Sequence, residues 1–515
     1  MKPPRKIVVT GWTLFPTILT IILLAVIPGP SRALAEEHEH PVPEKLGRVQ
    51  FPTSCSGKVQ KDFERAVALL HSFTYSAAAK AFQDVIKSEP GCAMAHWGLA
   101  MTYVHPLWEP HLTAEDASRG RPEIEEARRL GGSERERGFI NALASLYGQS
   151  NATPYRDRVN AYTLAMAKLA KDNPNDVECQ VFYALALIAT ASPTDKTHAN
   201  EKKAAALLEP LFQKYPEHPG IPHYLIHACD NTEMAPRAVP AANKYSEIAP
   251  SAPHALHMPS HIYTRLGMWE RSITSNLAAR KAAHEQGDIG EELHAMDYLT
   301  YAYLQIGGAE QAGRVVQDLQ TMPNLHANEF KVGYAASAMP IRYAMERRQW
   351  AEAARLEPIA GAQPQVEANT IWARAVGLAR SGKAAEARSD VDQLNNLHEK
   401  LRTAGDDYWA TQVHVQWNEV QAWIAHAEGR KDDAIKLMRD AADEEDNVEK
   451  KPVTPGAILP AREQLGDLLL ELNQPADALR EFERALVMTP QRRASVMGRA
   501  RAQELVNTGG KGDKD

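Results

Sequence analysis

The chain has 515 residues, with 58 Lys and Arg against 65 Asp and Glu, and a formal net charge of −7 at neutral pH. Its 44% hydrophobic and 24% charged content is that of a folded globular protein and excludes a disordered one. The acidic balance, with no basic stripe, excludes nucleic acid and an anionic membrane surface as expected partners.

Residues 1–35 read as a cleavable export signal. Lys2, Arg5 and Lys6 make a basic start, residues 14–27 are strongly apolar, and Ala33-Leu34-Ala35 forms a small-x-small cleavage site. Pro16, Pro28 and Pro30 leave too short a clean span for a transmembrane helix. Cleavage after Ala35 removes Lys2, Arg5, Lys6 and Arg32 and no acidic residue, moving the net charge from −7 to −11. The expected product is a soluble periplasmic or extracellular protein, with no membrane association after cleavage. Its first residue would be Glu36. A copper site built on an amino-terminal histidine is therefore not expected, although His38 and His40 follow closely. Residues 36–58 read as a flexible lead-in.

The four cysteines are Cys55, Cys92, Cys179 and Cys229. Export permits disulfides, and no CxxC spacing points to a zinc knuckle or a redox motif. Three pairings are open. Cys55–Cys92 would staple the first helix pair, and buried free thiols are the alternative.

From residue 59 onward the chain is periodic. Leu465-Gly466, Leu469, Ala478, Phe482, Ala485 and Pro490 fall at the spacings of a 34-residue helix–turn–helix repeat. The same skeleton appears early as Ala66, Ala78, Phe82 and Pro90, followed by Leu99-Ala100 and Tyr103. Small residues (Ala66, Ala100, Gly466, Ala478) stand where helices must approach closely, and Phe82 and Leu469 fill the space between pairs. Pro90, Pro174, Pro216, Pro250 and Pro490 end repeats; Gly267, Gly307, Gly382 and Gly429 mark turns within pairs. The pattern predicts repeats over residues 59–218, a histidine-rich centre over 219–325, further repeats over 326–506, and a disordered tail at 507–515.

This skeleton resembles the tetratricopeptide repeat (TPR) family over nearly all of the mature chain. The resemblance implies an all-α, right-handed solenoid of about ten helix pairs. It also implies that the first helix of each pair lines a concave groove with its second, fifth, ninth and twelfth positions. The runs "HYLIH" and "HALHMPSHIYTRLG", with "CAMAHWGLA" and "VTPG", further resemble an exported bacterial sub-family that suggests an integrated site without naming a reaction.

Of 19 histidines, eight lie between His218 and His294. His223, His227 and Asp230 are spaced i, i+4, i+7; His254, His257 and His261 are spaced i, i+3, i+7; His294, Asp297 and Tyr301 repeat the second pattern. Each set therefore lies on one helical stripe. His223 and His257 are 34 residues apart, as are His227 and His261, so they hold equivalent places in successive repeats. The turn glycines shift the next repeat by 40, aligning His254 with His294, His257 with Asp297, and His261 with Tyr301. Imidazoles with one or two carboxylates suit zinc, copper or iron. The candidate ligands are His223, His227, Asp230, His254, His257, His261, His294 and Asp297, more than one ion needs, so either two ions bind or some residues stand behind the ligands. Tyr301 and Arg342 are candidates for supporting or substrate contacts. Pro259, mid-helix, should kink or break its helix.

His71 and His105 are also 34 apart, beside Trp97 and Trp108, where core packing or a carbohydrate contact is expected. The acidic stretch 443–446 and the following Lys450-Lys451 read as a solvated turn. GxSxG, P-loop, GxGxxG and HExxH motifs are absent from the sequence. Two readings result. One is a metalloprotein whose ion would act as a Lewis acid or an oxygen-activating centre if it is catalytic. The other is a non-catalytic scaffold whose groove binds a peptide, a partner protein or a small molecule.

Overall fold

A computed structural model describes residues 44–107, 112–148, 153–323 and 325–509, all within one unit that begins at Glu44. The export signal, Glu36, His38, His40, Trp108 and residues 510–515 lie outside the described residues. Those described contain 24 α-helices, one 3-10 turn (Ala235–Ala238) and no strand.

The helices follow in pairs. The N-terminal set is α1 (Gln60–His71) with α2 (Tyr75–Ser88), α3 (Ala93–Met101) with α4 (Ala114–Leu130), α5 (Glu134–Tyr147) with α6 (Tyr155–Asp172), and α7 (Val177–Ala189) with α8 (Ala199–Lys214). The central set is α9 (Gly220–Ala228) with α10 (Val239–Ile248), α11 (Pro253–His257) and α12 (Pro259–Arg265) with α13 (Trp269–Gln286), and α14 (Ile289–Gln305) with α15 (Ala309–Thr321). The C-terminal set is α16 (Phe330–Glu346) with α17 (Trp350–Ala353), α18 (Pro364–Arg380) with α19 (Arg388–Thr403), α20 (Asp407–Ala427) with α21 (Lys431–Glu445), and α22 (Ala461–Glu471) with α23 (Pro475–Met488), closed by α24 (Arg493–Gly509). The all-α stack of helix pairs expected from the periodicity is present.

The punctuation has a local cause. Pro90, Pro174, Pro216, Pro250 and Pro490 each fall two residues past the end of α2, α6, α8, α10 and α23, where a missing N–H costs no helical bond. Gly267, Gly307, Gly382 and Gly429 fall two residues past α12, α14, α18 and α20, and all have positive φ, the left-handed step that ends a helix most cheaply at glycine. The small–large rule holds in space. A Cβ on Gly98 would meet the Phe82 ring at 2.2 Å, and Cβ atoms on Gly466 and Gly498 would meet the Phe482 ring at 2.7 and 2.3 Å. Ala66, Ala78, Ala100 and Ala478 are fully buried.

Residues 44–58, read from sequence as flexible, are seated without a helix. Phe51 is buried against Phe63, Trp97 and Phe139, and the Arg48 N–H donates to the Glu217 carbonyl. A Cys55–Cys92 disulfide ties this segment to the residue before α3, and Cys179 and Cys229 are buried thiols. Helix α24 continues to Gly509, past residue 507 where the tail was expected to begin.

Three long-range contacts set the surroundings of the histidines. At the N-terminal end α1 packs on α9, with His71 Nδ1 3.0 Å from the Tyr224 hydroxyl. At the C-terminal end α24 packs on α14, where Arg492 Nη1 donates to the Tyr301 hydroxyl and the Trp269 indole N–H donates to the Gln491 carbonyl. Between them the segment joining α21 to α22, residues 446–460, crosses the surface made by α9, α12, α14 and α16. Its Pro452 and Thr454 carbonyls accept from the Tyr298 hydroxyl at 3.3 and 3.2 Å, and its Gly456 and Ala457 carbonyls accept from Arg342. Val453, Thr454, Ile458 and Leu459 are buried there. The acidic stretch and the two lysines read as a solvated turn are therefore corrected. Lys450 is held 2.7 Å from the buried Asp230 carboxylate, which needs a cation, and Arg462 pairs with Asp443 and Asp446.

Candidate metal centre

Six imidazoles converge on two sites. Helix α9 carries His223 and His227 one turn apart, and α11 carries His254; together they offer nitrogens that all lie within 4.8 Å of one another. His257 on α11, His261 on α12 and His294 on α14 form a second such triad. Pro259 breaks its helix, as its lost N–H requires, and α12 begins at that proline. The break still leaves His257 and His261 facing each other.

In four rings Nδ1 meets an acceptor. His223 Nδ1 donates to the His71 carbonyl at 2.5 Å, His257 Nδ1 to Asn276 Oδ1 at 2.6 Å, and His261 Nδ1 to Asp230 Oδ2 at 2.9 Å. His254 Nδ1 lies 3.1 Å from Glu291 Oε2. Such outer partners orient an imidazole and leave Nε2 as the basic atom. The Nε2 atoms point inward: those of His257 and His261 are 3.0 Å apart, and those of His223 and His227 are 3.1 Å apart. Burial keeps His223, His227, His257 and His294 well below the usual imidazole range, and it takes His261 down to about 4 against the pull of Asp230. These rings are neutral at physiological pH. With both Nδ1 protons of His257 and His261 engaged, their Nε2 lone pairs face each other with no proton between. Two nitrogens bound at about 2 Å to one ion at near-right angles stand about 3 Å apart, so this arrangement suits a shared cation.

The remaining candidates lie around the triads. Asp230 accepts from His261, Arg265 and Lys450; against its burial, Lys450 and Arg265 hold its carboxyl well below the usual range. It stands behind His261. Asp297 is fully buried outside both triads, with Oδ1 3.3 Å from Arg342 Nε. Its Oδ2 has no hydrogen-bond partner among the described residues. Arg342 lies over the Tyr301 ring, and this pair secures the 446–460 segment and α24.

Several contributors have weak sequence signals. Glu291 and Tyr298 stand three before and four after His294, on the same stripe of α14, and their offsets were the available clue. Tyr298 packs edge-on to His257 with ring centroids 4.6 Å apart. Phe73 occupies the α1–α2 turn with φ 52, the left-handed step taken by glycine in other pairs, and its ring lies 4.4 Å from that of His223. Asn276 and Lys450 carry no periodic signal. His71 joins a third buried group, in which Glu178 bridges His71 and His218 at 2.9 Å each. His105 packs on Tyr75, and Trp97 is in the aromatic core around Phe51.

A family model for the tetratricopeptide repeat matches residues 63–105 and 464–505, near the two ends of the helical stack. No curated protein matches the chain. Among solved structures, the P58(IPK) TPR domain is 12% identical, with 89% of this chain and 100% of that chain covered and a TM-score of 0.22. A monomeric IFIT1 mutant with Gppp-AAAA is 12% identical, with 80% of this chain and 90% of that chain covered and a TM-score of 0.35.

Proposed function

We propose that this protein is an exported metalloprotein that holds transition-metal ions, copper, zinc or iron, in the two imidazole triads of its central repeats. The observation that carries the reading is the pair of neutral, outward-anchored imidazoles, His257 and His261, whose Nε2 lone pairs face each other at 3.0 Å. Six histidines make two ions the natural complement, one for each triad, with Asp230, Asn276, Glu291 and the His71 carbonyl as the groups that orient the ligands. A bound ion would supply Lewis acidity or redox chemistry. The chain's own residues keep the imidazoles neutral, exclude bulk water and fix each ring.

The scaffold reading requires an open groove for a peptide or partner protein, and residues 446–460 occupy the groove face over the histidines. That favours an internal site over a peptide cradle. Metal analysis of protein purified without added metal should find stoichiometric ion. Replacing His223, His227 or His261 by alanine should lower it strongly, and replacing His398 or His426 should not. A wild type that carries no metal, and takes up none from zinc, copper or iron, would falsify the metalloprotein reading. Export is supported by the basic, apolar and small-residue pattern of residues 1–35 and by the Cys55–Cys92 disulfide, which persists in oxidising compartments. Protein recovered from its host should have an intact mass beginning at Glu36; a retained leader would overturn the cleavage.

A further inference from the structure

A cavity of about 630 Å³ lies between α6, the end of α7, the start of α20 and the first half of the 446–460 segment. Its wall includes Tyr155, Ile188, His227, Asp230, Tyr408 and Lys450. Of the six triad imidazoles, His227 is the one that lines it. His227 is also the most exposed of the six, at 6%, whereas His223, His257 and His261 are at 0% and His254 and His294 at 1%. Its Nδ1 is buried without a hydrogen-bond partner, unlike Nδ1 of His223, His257 and His261.

The second triad is closed on every side the structure describes. Tyr298, 1% exposed, packs on His257, His261 and His294 with ring centroids 4.6, 5.1 and 5.3 Å away. The Tyr298 hydroxyl is in turn held by the carbonyls of Pro452 and Thr454. Asp230 separates His261 from the cavity and is itself neutralised by Lys450 and Arg265.

We infer that the two triads are unequal: the His223/His227/His254 site is the open one, where an exogenous small molecule ligates the ion from the cavity, and the His257/His261/His294 site is sealed. This rests on the metalloprotein reading above. The ligand class is a small molecule with an oxygen or nitrogen donor at one end and a body that pairs an aromatic or apolar face with polar groups, because the wall also carries Arg156, Asp406 and Glu449. The donor reaches the ion at His227, and the body lies against Ile188, Tyr155 and Tyr408. A site with three protein ligands and one open position is the arrangement in which a metal binds substrate.

Azide, a small coordinating anion with a charge-transfer band on copper(II), tests the inequality. Copper-loaded full-length protein should bind azide saturably at one per pair of ions. Ala189→Trp, which puts an indole at the cavity wall, should weaken azide at least tenfold with metal content unchanged. Asn160→Trp, on the exposed rim of the same cavity, should do likewise and does not depend on the core tolerating the first change. Azide binding to both ions, or to neither, would overturn the inference while leaving the metalloprotein standing, as would full azide affinity in both folded variants. Protein that takes up no metal would remove the metalloprotein reading itself, and this inference with it.

Discussion

At the residue scale, the protein is distinguished by the number of ionisable groups it keeps inside and by how each is settled. Some buried acids stay charged: against its burial, Glu291 is held well below the usual range by Lys331 and His254. In others burial outweighs the nearby cations, as at Asp297 beside Arg342. Burial pushes Glu445 up to about 7, and burial with the Glu445 charge pushes Glu419 well above the usual range. A carboxyl whose folded pKa exceeds its unfolded value binds more protons when folded, so its stabilising contribution is complete below about pH 4.5 and is lost as the pH rises through 7. Glu445→Gln keeps an oxygen for the Ala461 N–H and removes the charge. In metal-free protein its urea midpoint should match the parent at pH 4 and exceed it at pH 8, by about 1–2 kcal/mol in stability. Equal midpoints at both pH values would show that Glu445 is ionised without strain.

At the element scale, the site depends on helices that are short and interrupted. A continuous first helix would carry His254, His257 and His261 down one stripe. Instead His254 and His257, both on α11, face different neighbours and serve different triads, while His257 and His261, on either side of the break at Pro259, share one. The stripe spacing alone placed all three in one set, because helical periodicity records angle about an axis and not which neighbouring helix each residue along it meets. The same limit applies to Asp230 and Asp297. Each holds the expected groove register, yet Asp230 lies behind an imidazole and Asp297 beside Arg342, since side-chain reach and cation partners decide where a carboxylate settles. Residues 446–460 show the limit most plainly. They have the composition of a surface loop, and the carbonyls they offer to Tyr298 and Arg342, with the Lys450–Asp230 pair, explain why the segment is drawn across these helices.

At the scale of the whole molecule, a repeat stack held only by nearest neighbours unfolds piecemeal. This one is bound further by contacts between distant pairs, α1 with α9 and α14 with α24. Gly267 is the test point. It has φ 67, and a Cβ there would meet the Pro490 carbonyl oxygen at 2.4 Å, a backbone atom with little freedom to move. Gly267→Ala should cost about 2–3 kcal/mol, from left-handed strain and the lost approach of the α23–α24 turn. It should also make unfolding less cooperative, with fluorescence and circular dichroism midpoints separating. A single coincident transition at the parent midpoint would mean that the end-to-centre contact carries no stability.

The sequence by itself determined the helix pairs, their proline and glycine boundaries, the small–large packing within them and the clustering of six histidines on successive first helices. These are local properties, written in periods of 3.6 and 34 residues that any short window displays. Tertiary structure alone decided that the histidines divide three and three, that the His71 carbonyl, Asn276 and Glu291 anchor their outer nitrogens, and that residues 446–460 cover one triad while a cavity opens on the other. Those facts join residues tens to hundreds of positions apart, as Lys450 joins Asp230. They follow from which buried polar groups find partners once the ends of the stack fold onto its centre, a condition that no period in the chain encodes.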